Sequence, residues 1–208
     1  MNVLSEIGKI HRTSETRTDE VLVKVLTTSI QMLQDRGCVN LQACQSVEEI
    51  TQCMLEGRRV ITATSASGSE RIDVYFHNEE RVGVKQLRLW TEGRVQDKTI
   101  IVSLDGPTAF TRKEAETMGH QVQFFTFLDL SVNITRHALV PVHEKVTRAM
   151  VPVSLTASCS ELPILASTDK VAQYYAYEPG DIIRITRTVG TQEPVYYYRI
   201  VKNIGAVA

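Results

Sequence analysis

Residues 169–187 read D-K-V-A-Q-Y-Y-A-Y-E-P-G-D-I-I-R-I-T-R, and signals for helix, turn and strand follow one another within them. Val171 to Tyr175 forms a short amphipathic helical turn. Ser167, Thr168 and Asp169 each bring a side-chain oxygen that can satisfy the orphan amides at its start. Pro179 presets φ for a turn, and Gly180 tolerates positive φ after it. Asp181 to Arg187 alternates as a strand does. The stretch holds no nucleophile, metal cluster or phosphate loop, and reads as a packing and docking unit.

Downstream, Thr188 to Glu193 is a hairpin loop and Val195 to Val201 the returning strand. Tyr196, Tyr198 and Ile200 share one of its faces, Tyr197 and Arg199 the other. Upstream, residues 144–166 are the least readable. Val151-Pro152-Val153 and Leu162-Pro163-Ile164 break any long helix, and Ser154 to Ser160 is mostly polar. Asn133 to His143 reads as a link between two domains.

Before that link the periodicity changes. Residues 1–15 are polar and expected to fray. Thr16-x-x-Asp19 predicts a cap for a helix carrying Leu22, Val25, Leu26, Ile30 and Leu33. Gly37 ends that helix, with Arg36 in its last turn. Ser46 and Gly57 bound a second helix over about Val47–Leu55. Arg59–Ala66 and Arg71–His77 read as a hairpin around Ser67-Gly68-Ser69. A helix over about Val82–Glu92 is followed by Thr99–Leu104, an apolar run suited to a strand buried on both faces. Asp105-Gly106-Pro107 turns the chain, Thr111-x-x-Glu114 predicts a capping box for a helix to about Met118, and Gln121–Leu128 is a further strand. This alternation predicts an α/β sandwich over about residues 15–130.

The chain has 208 residues, 43% hydrophobic and 23% charged, which suffices for a buried core. A net charge of −1 gives no general attraction to nucleic acid, so any DNA contact is local. No apolar run reaches membrane-span length and no signal-peptide pattern opens the sequence, so an intracellular protein without a membrane partner is expected. Cysteines 38, 44, 53 and 159 lack C-x-x-C spacing and read as reduced thiols; no metal and no cofactor are expected.

A family resemblance rests on three blocks. The 169–187 stretch is similar to Asp-Pro-Val-Ala-Arg-Tyr-Tyr-Gly followed by a basic pair, Gly-Asp and a Val/Ile-rich strand. Asn133-Ile134-Thr135-Arg136-His137-Ala138-Leu139-Val140-Pro141-Val142-His143 is similar to N-I-T-x-H-x-L-V-P-x-H. Met32-Leu33-Gln34-Asp35-Arg36-Gly37 lies near M-L-x-D-R-G. These motifs, in this order, resemble the fifth common subunit of eukaryotic nuclear DNA-directed RNA polymerases and its archaeal counterpart.

The resemblance implies α/β plus α+β architecture. A restriction-endonuclease-like jaw domain would occupy residues 1–131 and a small mixed α/β assembly domain residues 132–208. It further implies a non-catalytic subunit of a multisubunit nuclear polymerase, anchored on the largest subunit and touching other subunits. The jaw would lie beside downstream duplex DNA, and the chain would not be a homo-oligomer. Docking candidates are His137, Leu139, Val140, Pro141, His143, Tyr174, Tyr175, Gly180, Asp181, Arg184 and Arg199. Lys170, Gln173, Glu178-Pro179 and Ile164 depart from the family pattern. They suggest a divergent paralogue dedicated to one polymerase. Polymerase I, and so the nucleolus, is the first choice.

Other chemistry is weaker. A nuclease of this fold needs an acid, then Asp/Glu-x-Lys, to hold a divalent metal. Asp73 supplies the first acid, but Gly83-Val84-Lys85 lacks the second. A free-standing nuclease-like DNA-binding or repair domain is therefore the second choice. His137 and His143 have no nucleophile placed beside them by sequence and read as structural. Arg184, Arg187, Arg199 and Lys202 suggest a basic strip, either solvated or facing an acidic partner. The tyrosine clusters at 174–175 and 196–198 suit a core edge or a protein interface.

Overall fold

The structure is a computed structural model that describes residues 15–93, 97–118, 121–152, 162–188 and 193–203, with residues 15–17 described by their backbone alone. The frayed start, the Ser154–Ser160 run with Cys159, and the middle of the 188–193 loop fall outside the described residues. The chain divides into two units, Met1–Val132 and Asn133–Ala208. Each is mixed α/β, built on a mixed sheet.

The first unit runs α1 (Glu15–Asp35), β1 (Val39–Ala43), α2 (Val47–Glu56), β2 (Ile61–Thr64), β3 (Arg71–Phe76), α3 (Val84–Thr91), β4 (Lys98–Ser103), α4 (Ala109–Thr117), β5 (Val122–Thr126) and α5 (Phe127–Leu130). The strands lie in sequence order. β1, β2 and β3 pair antiparallel, and β3, β4 and β5 parallel. β4 is buried along Thr99–Ser103, as expected for a strand covered on both sides. Tyr75 stacks on Trp90 of α3, with ring centroids 4.8 Å apart, and Phe76 meets Phe127 of α5 edge-on at 5.7 Å. Successive residues of a strand point to opposite faces, so helices cover both sides of this sheet.

Several local expectations shift. α1 begins at Glu15, so Thr16 lies inside the helix and is not its cap. Arg36 falls just beyond the last turn, where its guanidinium donates to Gln123 Oε1 at 2.9 Å. β1, Val39–Ala43, is a strand that the sequence analysis does not assign, although Val39, Leu41 and Ala43 alternate with Asn40 and Gln42. Val82 belongs to a bridge with Pro107 and not to α3. Thr108, not Thr111, caps α4: its side chain accepts from Thr111 N, and Glu114 instead pairs with Arg88 at 2.7 Å. Phe127 and Leu128 leave the strand because Thr126 and Asp129 form a capping box that starts α5.

The second unit runs through a 3₁₀ turn (Ile134–Arg136), β6 (Val142–Val146), a 3₁₀ turn (Arg148–Met150), β7 (Ile164–Ala166), α6 (Lys170–Tyr175), β8 (Ile182–Arg187) and β9 (Val195–Lys202). Strand order is β6-β8-β9-β7, antiparallel except for the β7–β9 pair. The segment expected to be a link, Asn133–His143, is thus part of this unit and enters β6. Both faces of the sheet carry a core. Ile182, Val146, Val151 and Leu162 cluster with Tyr198 and Ile200 on one side. Ile183, Ile185, Leu165 and Val201 cluster with Ala172 of α6 and Tyr177 on the other.

Candidate partner-docking surface

α6 is short, and its ends decide whether it forms. Of the three possible caps the chain uses Asp169, whose Oδ1 accepts from Val171 N at 2.9 Å and Ala172 N at 3.2 Å. Lys170 takes the first helical position, where a proline would cost nothing because that amide has no intrahelical partner. Ala176 closes the helix in the left-handed region, φ 55°, a conformation that glycine adopts with far less strain. The chain then turns through Glu178-Pro179-Gly180-Asp181. Asp181 N donates to Glu178 O at 3.0 Å, and Gly180 has φ 98°. A positive φ after proline is what a type II turn requires.

The two best-matched blocks meet in space. Asn133 Nδ2 donates to the Tyr174 hydroxyl at 3.0 Å, and the Tyr177 hydroxyl donates to His143 O at 3.2 Å. Burial pushes the Tyr177 phenol well above its ordinary value, keeping it a donor at any ordinary pH. The two histidines serve the backbone of their own segment. His137 Nδ1 accepts from Leu139 N at 3.2 Å, whereas His143 Nδ1 lies 2.8 Å from Pro141 O and must donate to it. Nδ1 thus plays opposite roles in the two rings, each set by its own local turn.

The docking candidates separate by exposure. Tyr174 is 2% exposed and belongs to the interior, because its ring is the main side chain α6 buries. Gly180 and Asp181 build the turn. Asp181 Oδ1 also pairs with Lys145 Nζ at 2.8 Å, and Gly180 N donates to Val201 O at 2.9 Å. Val140, Pro141, His143, Tyr175 and Arg184 are half-buried, and His137, Leu139 and Arg199 are exposed. Leu139 is 86% exposed. Val142, at 66%, joins it, on the face of β6 that it shares with Glu144 and Val146.

The arginines do not make one strip. Register places Arg184 with Tyr198 and Glu144 on one face, and Arg187 and Arg199 on the other. Arg184 Nη2 pairs with Glu144 Oε2 at 2.6 Å, and its guanidinium sits 5.3 Å from the centre of the Tyr196 ring. Arg187 lies 5.2 Å over the Tyr197 ring on the opposite side. Arg199 Nη1 donates to Ile164 O at 3.1 Å. Each guanidinium is thus laid along an aromatic ring or onto a backbone carbonyl, which favours flat cation–π packing over a continuous positive field.

In the first unit, Asp73 is 1% exposed and fully engaged. It accepts from Thr62 Oγ1 at 2.6 Å and Arg71 Nε at 3.0 Å, with Arg59 at 3.7 Å. The strand beside it places Thr99 opposite, and Lys85 lies in the first turn of α3. Among the described residues no cluster of three or more His, Cys, Asp or Glu is placed to hold a metal.

This arrangement matches a known domain. Residues 132–201 match the family model described as RNA polymerase Rpb5, C-terminal domain. Beyond that segment, the chain is 26% identical to DNA-directed RNA polymerases I, II, and III subunit rpabc1 of Dictyostelium discoideum, over 86% of this chain and 96% of that one. Residues 132–201 thus carry an Rpb5 C-terminal domain, and the chain as a whole is similar to RNA polymerase subunits of that kind. DNA-directed RNA polymerase subunit 5-like protein 1 of Arabidopsis thaliana is 26% identical over 87% of this chain and 96% of its own. DNA-directed RNA polymerase V subunit 5A of the same plant is 27% identical over 75% and 77%. The matched Rpb5 domain begins one residue before the second unit and ends within β9.

Proposed function

We propose that this chain is a non-catalytic subunit of a nuclear DNA-dependent RNA polymerase, anchored on the largest subunit through its C-terminal unit. The observation that carries the reading is the exposure of Leu139 and Val142 within the best-matched block. A segment that places large apolar residues in water beside a well-packed core is suited to burial against another protein. The relatives' names, all polymerase subunits, support the same reading. The N-terminal unit acts as a jaw beside downstream duplex DNA, with the active site in other subunits.

The second choice, a free-standing nuclease-like domain, is disfavoured by Asp73. A carboxylate already shared by Thr62 and Arg71 inside the sheet has little left to offer a divalent metal.

The docking surface serves one polymerase, with polymerase I the first choice. Lys170, Gln173, Glu178 and Ile164 alter the charge around α6 and its flanks relative to the family motif, and each step of about 1.4 kcal/mol in docking is tenfold in affinity. Specialised versions occur among the relatives, one of them named for polymerase V alone. Tagged protein recovered from nuclear extract is expected to bring down one largest subunit, and residues 132–208 alone to do the same. Recovery of all three largest subunits in comparable amounts would remove specialisation; recovery of none would remove the subunit reading.

A further inference from the structure

Cys44 and Cys53 have no part in the docking described above. Cys44 follows β1, its amide donating to Val60 O at 3.0 Å, and Cys53 is a buried residue of α2. Both side chains are buried, yet their sulfurs approach to 3.7 Å. Both also line one open cleft of about 600 Å³, bounded by Glu49, Arg58, Arg59 and Tyr75. Buried cysteines usually serve as small apolar side chains, with no reason to face each other at the wall of a cleft.

We propose that Cys44 and Cys53 form a dithiol modification site that a peroxide-class oxidant, entering by this cleft, closes to a disulfide. One sulfur, as thiolate, attacks a peroxide oxygen. The O–O bond breaks, a sulfenic acid forms, and the released hydroxide takes up the proton lost by that thiol to leave as water. The second thiol then attacks the sulfenic sulfur, giving up its proton as the S–S bond forms and a second water departs. The thiols lose two electrons and two protons in all, and the peroxide becomes two waters. The sulfurs close to about 2.0 Å, the bond clipping α2 to the end of β1.

Burial, with Cys53 beside it, pushes the Cys44 thiol up to about 12, so Cys44 rests as a thiol at neutral pH. A reducing compartment maintains that form, and the disulfide records an oxidative challenge.

The test exposes the native full-length chain to hydrogen peroxide, blocks free thiols and maps the peptides without reduction. A Cys44–Cys53 linked peptide, lost on treatment with dithiothreitol, is expected. Oxygen added to either cysteine without a link, a link to Cys38 or Cys159 instead, or both thiols unchanged after Cys38 has reacted, would overturn the proposal. Cys44→Ser and Cys53→Ser should each abolish the linked peptide. Because serine can unsettle a buried site, the wild-type map decides whether or not the variants fold.

Discussion

The side-chain amide of Asn133 donates to the hydroxyl of Tyr174 at 3.0 Å, tying the first residue of the C-terminal unit to the buried tyrosine of α6. The bond is small beside the packing of the ring that carries it. Tyr174→Phe keeps the ring and should cost about 0.5–1.5 kcal/mol. Tyr174→Ala opens a cavity and should cost about 3–5 kcal/mol, most of what a unit of this size has in reserve. Urea unfolding of the two variants checks the order; equal losses would mean that the hydrogen bond, not the ring, holds α6.

Both ends of α6 carry a residue poorly suited to its place. Lys170 replaces a preorganised proline at the first helical position, and Ala176 holds φ 55°. Lys170→Pro and Ala176→Gly should each stabilise the unit by about 0.4–1 kcal/mol. Thermal or urea midpoints read the change. A loss of stability in Ala176→Gly would show that the left-handed conformation carries no strain.

Leu139 and Val142 touch little of their own chain. Leu139→Glu and Val142→Glu should therefore leave the melting of the isolated protein within about 0.5 kcal/mol of the parent. Their co-purification with polymerase should fall at least about tenfold, as an unpaired charge at a docked apolar surface requires. Undiminished recovery of both variants would move the anchor elsewhere.

Asp73 is a structural carboxylate. Asp73→Ala leaves Thr62 Oγ1 and Arg71 Nε without their buried acceptor and should cost about 1–3 kcal/mol in the N-terminal unit. Parent protein incubated with duplex DNA and magnesium or manganese should leave the DNA intact. Metal-dependent cleavage abolished by this substitution would restore the nuclease reading.

His77 gives the fold an acid-sensitive component. Its ring is buried edge-on against Trp90, 5.4 Å between centroids, with Glu79 Oε2 3.8 Å from Nε2. Burial lowers its pKa from the ordinary 6.5, and Glu79 offsets only part of that. Above about pH 6.5 both folded and unfolded states are neutral here, and the residue adds no pH dependence. Below it the unfolded chain takes up the proton first, so stability should fall as pH drops through 6.5 toward the folded-state value. His77→Phe keeps the aromatic contact and should flatten this part of a midpoint-against-pH curve. An unchanged slope would place the acid sensitivity in another group.

Chain-local physics was legible. Ser46 and Gly57 bound α2, the 167–169 stretch supplies the cap of α6, and Pro179-Gly180 turn the chain, because caps and turns depend on a few adjacent residues. The apolar run of β4 announced burial on both sides for the same reason. The motif blocks carried the likeness to polymerase subunits in the same local way.

What needed the tertiary structure was every choice between local options of similar energy. Thr108 and Thr111 could each cap α4, and the bridge from Val82 to Pro107 brings the chain in at Thr108. β1, β6 and β7 are strands of three to five residues at sheet edges, too short to announce themselves, and acquire their form by pairing with neighbours distant in sequence. Alternation in β8 showed that two faces exist but not that both are buried: Val151 and Leu162 cover one and α6 the other. The same pairing sends Arg184 to one face and Arg187 and Arg199 to the other. In the first unit, the packing of α2 near the end of β1 brings the sulfurs of Cys44 and Cys53 to 3.7 Å. Sequence spacing fixes what neighbours along the chain can do; which distant side chains meet depends on strand register and helix packing, where burial of the whole unit outweighs local preference.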